Sequence, residues 1–474
     1  MPNKVNDTSP AVAAMQSDLD KVDALMGGTK AMRAAGEKYL PKWPMEDQRG
    51  YEFRLKTSTL YNAFGRTVEN MASKPFAEPI KLTDIAPEVE EWFDNIDLAG
   101  RNLDVFAQEV FRAGLKDGIT HILVDFPVTR DDKGEPVLRT RADEIAAGVR
   151  PYVIHIKQSQ ILGWISTTVA GAEILAQLRI MECVTEPDGE FGTTNVEQVR
   201  VLTPGAWATY RKGEKDWGLH DRGTTSMNSV MLATFYTRRT GFMTATPPLI
   251  DLADLNIKHW QSSSDQDSIL HTARVPILAI TGISDEDKIV IGGKSALLLP
   301  TGATASYVEH TGAAIEAGHT SLQDLENQMR AMGAELLVEA QVASTATQNN
   351  IEDAEAQCQL SQMAQSFGDC LDQVVDMMAA CVGLPEQGEI EVFDDFSSGT
   401  VLQSAGPFII SLIQLVNNGI LSKEDAFKEM QRYGIVNTDL AWEDVQSRID
   451  IEPPTLAALA KSPAAERAKA PVDE

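Results

Sequence analysis

A Gly-Gly-Lys-Ser run at Gly292 to Ser295 is the first place where residue types suggest chemistry. Gly-Lys-Ser closing a glycine-bounded loop cradles nucleotide phosphates with backbone N–H groups and a lysine. That loop needs a glycine five residues before the Gly of Gly-Lys-Ser, and Lys288 stands there. The run therefore reads as a hairpin turn with a solvated lysine. Histidines at 121, 155, 220, 259, 271, 310 and 319 never pair at i, i+4 around a Glu, so no zincin-like metal site is expected. His155 alternates within a strand pattern and reads as a packed, hydrogen-bonded histidine. No nucleophile elbow or dinucleotide glycine loop occurs. The acidic runs SDEDK and PEVEEWFDNID lack the Gly and the closing Glu of a calcium loop and read as solvated faces. Neither an enzyme nor a cofactor is expected.

Four cysteines, Cys183, Cys358, Cys370 and Cys381, are too few and too dispersed for a disulfide scaffold and read as reduced thiols. Cys370 and Cys381 fall about 20° apart on one helix face, as two small core residues would. The chain has 474 residues, 43% of them hydrophobic, which is ample for a buried core. Its formal charge of -28 opposes tight wrapping of a phosphate backbone, since such binding runs on Lys and Arg. The start carries no charged segment leading into an apolar run, and no stretch approaches the length of a membrane span.

The elements that would position any site come next. Leu60, Phe64, Val68 and Met71 repeat at helical spacing within one helix expected from Tyr51 to Ala72, stopped by Pro75. LDVFAQEVFRAGLKDG is a second helix, ending at Gly118 and leading into the strand ITHILVDFP. RPYVIHIKQSQILGW, LRIMECV, EQVRVLTPGAWATYRK and NSVMLATFYTRR are further β segments. After Pro247 and Pro248 a helix begins whose first half carries Leu249, Leu252, Leu255, Ile257 and Trp260 on one face. Its second half, with Ser262, Ser263, Ser264, Asp265 and Asp267, is expected to leave the core for a polar setting. Short β pieces follow, VPILAIT, DKIVIGG, SALLLP and ATASYVEHTG, and then a returning helix with Leu322, Leu325, Met329, Met332 and Leu336 near heptad spacing. A helix of roughly 45 Å is expected from Ile351 to Cys381. Beyond it GPFIISLIQLVNNG and SKEDAFKEMQRYG read as two shorter helices, the latter capped by Ser422 with Asp425 at the third position.

Between the returning helix and the long one the helical pattern gives way to Ser344, Thr345, Ala346, Thr347, Gln348, Asn349 and Asn350, small or polar residues with neither Gly nor Pro. A connection of this length is ordinary in helical bundles. Its setting is not, because a small β insertion comes before it.

The succession PPLIDLADLNIKHWQSSSDQDSILHTARVPILAITG, SLQDLENQMRAMGAELL and STATQNNIEDAEAQCQLSQMA, with YEFRLKTSTLYNAFGRTVENMASKPF and GLKDGITHILVDFP upstream, resembles tailed-bacteriophage portal proteins over roughly residues 50 to 435. The resemblance implies a mostly helical α+β architecture. Its parts would be an N-terminal arm (1–49), a wing domain (50–245), a first stem helix (246–274), a β clip module (275–317) and a second stem helix (318–340). A tunnel loop (341–350), a long wing helix with its connection (351–400), a helical crown (401–452) and a disordered tail (453–474) would follow. It implies a non-enzymatic homo-oligomeric ring, a dodecamer, at a capsid vertex, assembled in the host bacterial cytoplasm and retained in the virion. Double-stranded DNA would pass through its channel during packaging and ejection, and its partners would be terminase, major capsid or scaffold protein, and tail adaptors, with no membrane. Ser344, Thr345, Thr347, Gln348, Asn349 and Asn350 would face the DNA, as small uncharged side chains that slide along phosphates without gripping them. Lys288 and Lys294 on the clip could meet an acidic terminase surface or the DNA, or keep strand edges soluble. The alternative is an acidic helical scaffold or adaptor that binds protein partners without forming a channel.

Overall fold

The computed structural model describes residues 4–127, 148–213, 216–225, 227–274, 277–282, 302, 304–308, 313–337 and 358–396, and, further on, 412, 414–416, 421–432, 440–442 and 445–447. The chain divides into two compact units, Met1–Asp394 and Asp395–Glu474.

The first unit opens with α1 (Pro10–Met26), capped by the Ser9 hydroxyl, and α2 (Gly28–Ala35). Val12, Leu19, Val22 and Leu25 bury one side of α1, so the stretch expected as an arm contributes to the core. The single helix expected over Tyr51–Ala72 is two, α3 (Gln48–Thr57) and α4 (Ala63–Ala72). Two local bonds separate them: the Ser58 hydroxyl donates to the Arg54 carbonyl, and Asn62 caps α4 by accepting from the Gly65 N–H at 2.8 Å. The Arg33 guanidinium then holds the Ser58 carbonyl at 2.8 and 3.0 Å.

After β1 (Lys81–Thr83), α5 (Pro87–Glu90) and a 3₁₀ turn at Glu91–Asn95 turn Val89, Trp92 and Phe93 inward, so PEVEEWFDNID is solvated on one side only. α6 (Leu103–Asp117) ends at Gly118, whose φ of 84° suits glycine and whose N–H returns to the Gly114 carbonyl. β2 (Ile119–Asp125) follows at once and lies between β3 (Tyr152–Ile156) and β9 (Leu232–Tyr236) in an antiparallel three-stranded sheet. β4 (Ile161–Val169), β5 (Ala172–Asp188), β6 (Gly192–Thr203), β7 (Ala206–Lys212) and β8 (Trp217–Thr224) form an antiparallel meander.

Three β expectations change. RPYVIHIKQSQILGW is two strands in different sheets, parted by a 3₁₀ turn at Gln158–Gln160. EQVRVLTPGAWATYRK is a hairpin turning at Pro204 and Gly205, where Gly205 has φ 76°. β8 has no counterpart in the sequence reading.

The small sheet has two loaded faces, as the period-2 alternation of strands requires. Leu123 and Ile156 pack with Val12, Ile161, Leu178 and Ile180 toward α1 and the meander. Phe235 on the opposite face meets Phe111 of α6, ring centroids 5.4 Å apart, and the same aromatic nest receives Phe76. Gly114 lets α6 approach, since a Cβ there would stand 2.5 Å from the Phe235 ring.

β10 (Arg239–Gly241) and β11 (Thr244–Ala245) form a small ribbon before α7 (Ile250–Ala273). β12 (Ile277–Thr281) pairs antiparallel with β13 (Thr304–Val308), and α8 (Ala313–Ala334) continues into a 3₁₀ turn at Glu335–Leu337. α9 runs Gln359–Cys381, shorter than the helix expected from Ile351. The backbone of Cys358 is extended (ψ 161°), and Ser361 in the first turn spends its hydroxyl on the Asp394 carbonyl at 2.6 Å, so the helix starts there. Phe367 of α9 completes the nest, 4.8 Å from Phe235. β14 (Glu389–Glu391) closes the unit by pairing with β1.

In the second unit the described helix is α10 (Lys423–Arg432), with Ser422 accepting from the Asp425 N–H at 3.0 Å and donating to its carboxylate at 2.6 Å, the reciprocal cap expected. Phe427 packs against Trp442. Most of GPFIISLIQLVNNG, residues 351–357 and the tail 453–474 lie outside the described residues.

Candidate functional site

The helix pair α7 and α8, joined through β12 and β13, is the region on which a channel reading depends. At 1.5 Å per residue the 24 residues of α7 extend about 36 Å and the 22 of α8 about 33 Å. They run antiparallel. The Gln266 amide donates to the Ile315 carbonyl at 2.9 Å, while His259, seven residues earlier, reaches Glu326 at 3.7 Å, eleven residues later. Gly318 permits the approach at one end, because a Cβ there would fall 2.0 Å from the Gln266 Oε1. Leu325 and Met329 of α8, continued by Leu336 of the 3₁₀ turn, supply the buried stripe.

The second half of α7 leaves the core only in part, since Asp265 and Asp267 are exposed while Ser264 and Gln266 are buried. Asn256 and His259 in the first half are buried too, and the polar atoms of Asn256, Ser264 and Gln266 work as fasteners. The Asn256 side chain accepts from the Phe64 N–H at 2.9 Å and donates to the Tyr61 carbonyl at 2.8 Å, tying the α3–α4 break to α7. Ser264 bonds Ser58 hydroxyl to hydroxyl at 2.9 Å, and Gln261 donates to the Tyr39 carbonyl. Alongside lies a buried ion pair, with Arg54 donating twice to Glu46 at 2.8 and 2.7 Å and once to the Pro41 carbonyl. The hydrogen bonds from Arg54 hold the Glu46 carboxyl below its ordinary pKa. A buried polar group is tolerated only with partners of this kind. Apart from those on α8, the partners of α7 come from residues 39 to 64, out of sight of a local reading of the helix.

The outward faces of the pair are acidic. Residues 250–274 and 313–337 hold eight Asp and Glu against three Lys and Arg. Asp251, Asp265, Asp267, Glu316 and Asp324 are exposed. Such a surface repels phosphates rather than binding them.

Where α7 begins, α8 ends and α9 begins, a cleft of about 550 Å³ is lined by Arg238, Asp251, Glu335, Gln359 and Gln362 with apolar Met332 and Leu336. A second cavity, about 650 Å³, lies beside the meander. Its Arg200 is neutralised by Asp125 at 2.8 Å and Glu182 at 3.3 Å, and burial pushes the neighbouring Tyr152 hydroxyl up to about 12. Cys381 on its wall is pushed up to about 11 and Cys370 to about 12, both by burial, so these thiols stay protonated. Cys370 is a core residue, as expected, whereas Cys381, expected beside it in the core, is only half-buried on the cavity wall.

His155 is packed too, bonded to the Thr120 hydroxyl at 2.8 Å and driven down to about 4 by burial. His121 matches it on the other face of β2, between Gln158 and Thr234, also near 4 through burial. Asp117, buried at the end of α6 beside Lys116, is raised to about 7. Among the described residues no group of three His, Cys, Asp or Glu is arranged to hold a metal ion. Nor is any described helix long and apolar enough to cross a membrane.

The expected loop residues Ser344, Thr345, Thr347, Gln348, Asn349 and Asn350 lie outside the described residues, as do Lys288 and Lys294. What the structure describes is the frame around them: Leu337 and Cys358 flank the first group, β12 and β13 the second.

A family described as a domain of unknown function (DUF4055) matches residues 248–381, under a third of the chain. The match runs from the Pro before α7 to the end of α9. No curated protein matches the chain. Among solved structures, a chain in the virion of a native gene transfer agent (GTA) particle is similar at 12% identity and TM-score 0.38, over 86% of this chain and 99% of that one. A chain from the neck of the native GTA particle computed with C12 symmetry is similar at 13% and 0.37, over 84% and 97%. One from the neck of the empty particle computed with C6 symmetry is similar at 11% and 0.38, over 83% and 95%. At these scores the superpositions are loose.

Proposed function

We propose that this chain is the subunit of a bacteriophage-type portal, a non-enzymatic ring whose channel carries double-stranded DNA into and out of a capsid. One observation carries the reading: two antiparallel helices with acidic outer faces, joined at one end by a β ribbon, the first of them fastened by buried hydrogen bonds to the N-terminal helices. Two such helices per subunit form a stave, and staves set around an axis make a tube. Negative charge along the staves keeps phosphates from adhering to the wall. In this reading residues 341–350 reach the channel, with Ser344, Thr345, Thr347, Gln348, Asn349 and Asn350 touching the DNA. Lys288 and Lys294 sit at the β end, where terminase and later the tail adaptors dock. Residues 50–245 form the outer wing against capsid or scaffold protein, and residues 401–452 form the crown. The ring is a dodecamer, built in the host cytoplasm and kept in the virion.

Deletion of residues 344–350 tests the assignment. Rings that persist while DNA packaging or retention fails support a channel loop. Loss of the ring itself would make the segment a structural connector, and a chain that stays monomeric or dimeric at all concentrations is an adaptor instead.

A further inference from the structure

We propose that the tip of the β5–β6 hairpin of one copy docks on an apolar patch formed by Trp43, Met45 and Phe53 of the next, a contact that rests on the ring reading above. The hairpin is a projecting arm. β4 pairs with β5 only as far as Ile180, and β7 pairs with β6 only from Gln198 onward, so the rungs from Cys183 with Glu197 to Asp188 with Gly192 have no third strand. A bare two-stranded ribbon is marginal in water. At its tip Phe191 is 94% exposed. No Lys or Arg occurs between Arg179 and Arg200, while Glu182, Glu186, Asp188, Glu190 and Glu197 do. Arg211 takes up Glu186 at 2.8 Å, and Asp188 and Glu190 make no ion pair among the described residues.

The patch is its chemical complement. Met45 is 96%, Phe53 55% and Trp43 41% exposed, three large apolar side chains within eleven residues. Two of them have fixed neighbours: the Arg54 guanidinium lies 4.3 Å over the Trp43 ring, and Phe53 leans on His271 of α7 at 5.7 Å. Arg49 and Lys56 flank Phe53 at helical spacing on α3, both exposed and without an ion pair among the described residues. The anions nearby have partners of their own: Asp47 caps α3 at the Gly50 N–H, Glu52 accepts from Gln48, and Asp265 of α7 accepts from the Trp43 side chain and lies near Arg54. Clustered exposed apolar residues mark a binding surface, and pre-ordered anchors keep the cost of binding low. An acidic tip with an aromatic end and a cation-flanked apolar patch, on one chain, are the two unlike halves that a head-to-tail ring contact requires. The occupant is therefore a second copy of this chain.

Sedimentation velocity on the full chain tests the contact, with circular dichroism showing that the surface variants stay folded. Asp188→Lys with Glu190→Lys, and separately Arg49→Glu with Lys56→Glu, should each weaken self-association by about tenfold or more, and the four together should restore it. Phe191→Ala should weaken it comparably. In a Cys183→Ser background, Phe191→Cys with Phe53→Cys should give a ladder of disulfide-linked multimers. If the wild type forms rings and these variants form them equally well, or if no ladder appears, the contact lies elsewhere and the ring stands. A wild type that never self-associates overturns both.

Discussion

α7 and α9 are helices of nearly equal length in one compact unit, yet their buried sides are built from different materials. α9 buries Leu360, Met363, Phe367, Cys370, Val374 and Met378 against the small sheet, an apolar stripe that any neighbour of the right shape could satisfy. α7 buries Leu252, Ala253 and Trp260 as well, but adds the buried polar side chains of Asn256, Ser264 and Gln266, each hydrogen-bonded to a named partner at a fixed position. Apolar burial is non-directional, whereas hydrogen bonds specify register. The difference teaches that α9 anchors the core while α7 is positioned. A stave that must line up with its copies around an axis gains more from register than from extra apolar area.

Substitutions can break this contrast at several points. The largest loss is expected for Phe367→Ala, which empties the centre of the aromatic nest and should cost about 3–5 kcal/mol in a denaturant melt. Asn256→Ala should follow, at about 2–4 kcal/mol, because the Phe64 N–H and the Tyr61 carbonyl both lose their partner in a buried setting. If Asn256→Ala cost no more than an exposed substitution, register fastening by α7 would be wrong. Gly318→Ala should be milder, about 1 kcal/mol, since Gln266 is flexible enough to swing away and forfeits one hydrogen bond to Ile315.

A pH series separates the buried groups beside the sheet. His121 and His155, held near 4 in the fold against 6.5 unfolded, add stability that is present above about pH 6.5 and lost as pH falls through 4. Asp117 acts in the opposite sense. Its folded value near 7 against 3.8 unfolded gives a contribution that is full below 3.8 and lost as pH rises through 7. Lys116, Asp23 and Lys157 face it. Asp117→Asn should therefore gain on the wild type between pH 4 and 7, with a slope of at most about 1.4 kcal/mol per unit. A flat difference across that range would show that Lys116 keeps Asp117 ionised.

The elements specified by nearby residues were legible in the sequence. Pro247 and Pro248 announce α7, Gly118 ends α6, and Ser422 with Asp425 caps α10. Features specified from a distance were not. The break at 58–62 depends on Asn62 locally but also on Arg33 and Asn256, far away in the chain, and the serine-rich half of α7 looks solvated until residues 33–64 close over it. α1 carries a readable signal, with Ser9 before Pro10 and then Val12, Leu19, Val22 and Leu25, and it belongs to the core rather than to a separate arm. The candidate loop was read from composition and setting. The structure supplies its flanks, α8 and α9.

Negative-stain micrographs of the purified full chain, with mass measured on the same sample, bear most directly on the central claim. The account predicts an annulus of about twelve copies around an open centre. A stable monomer or dimer, or a closed assembly with no hole, would contradict it.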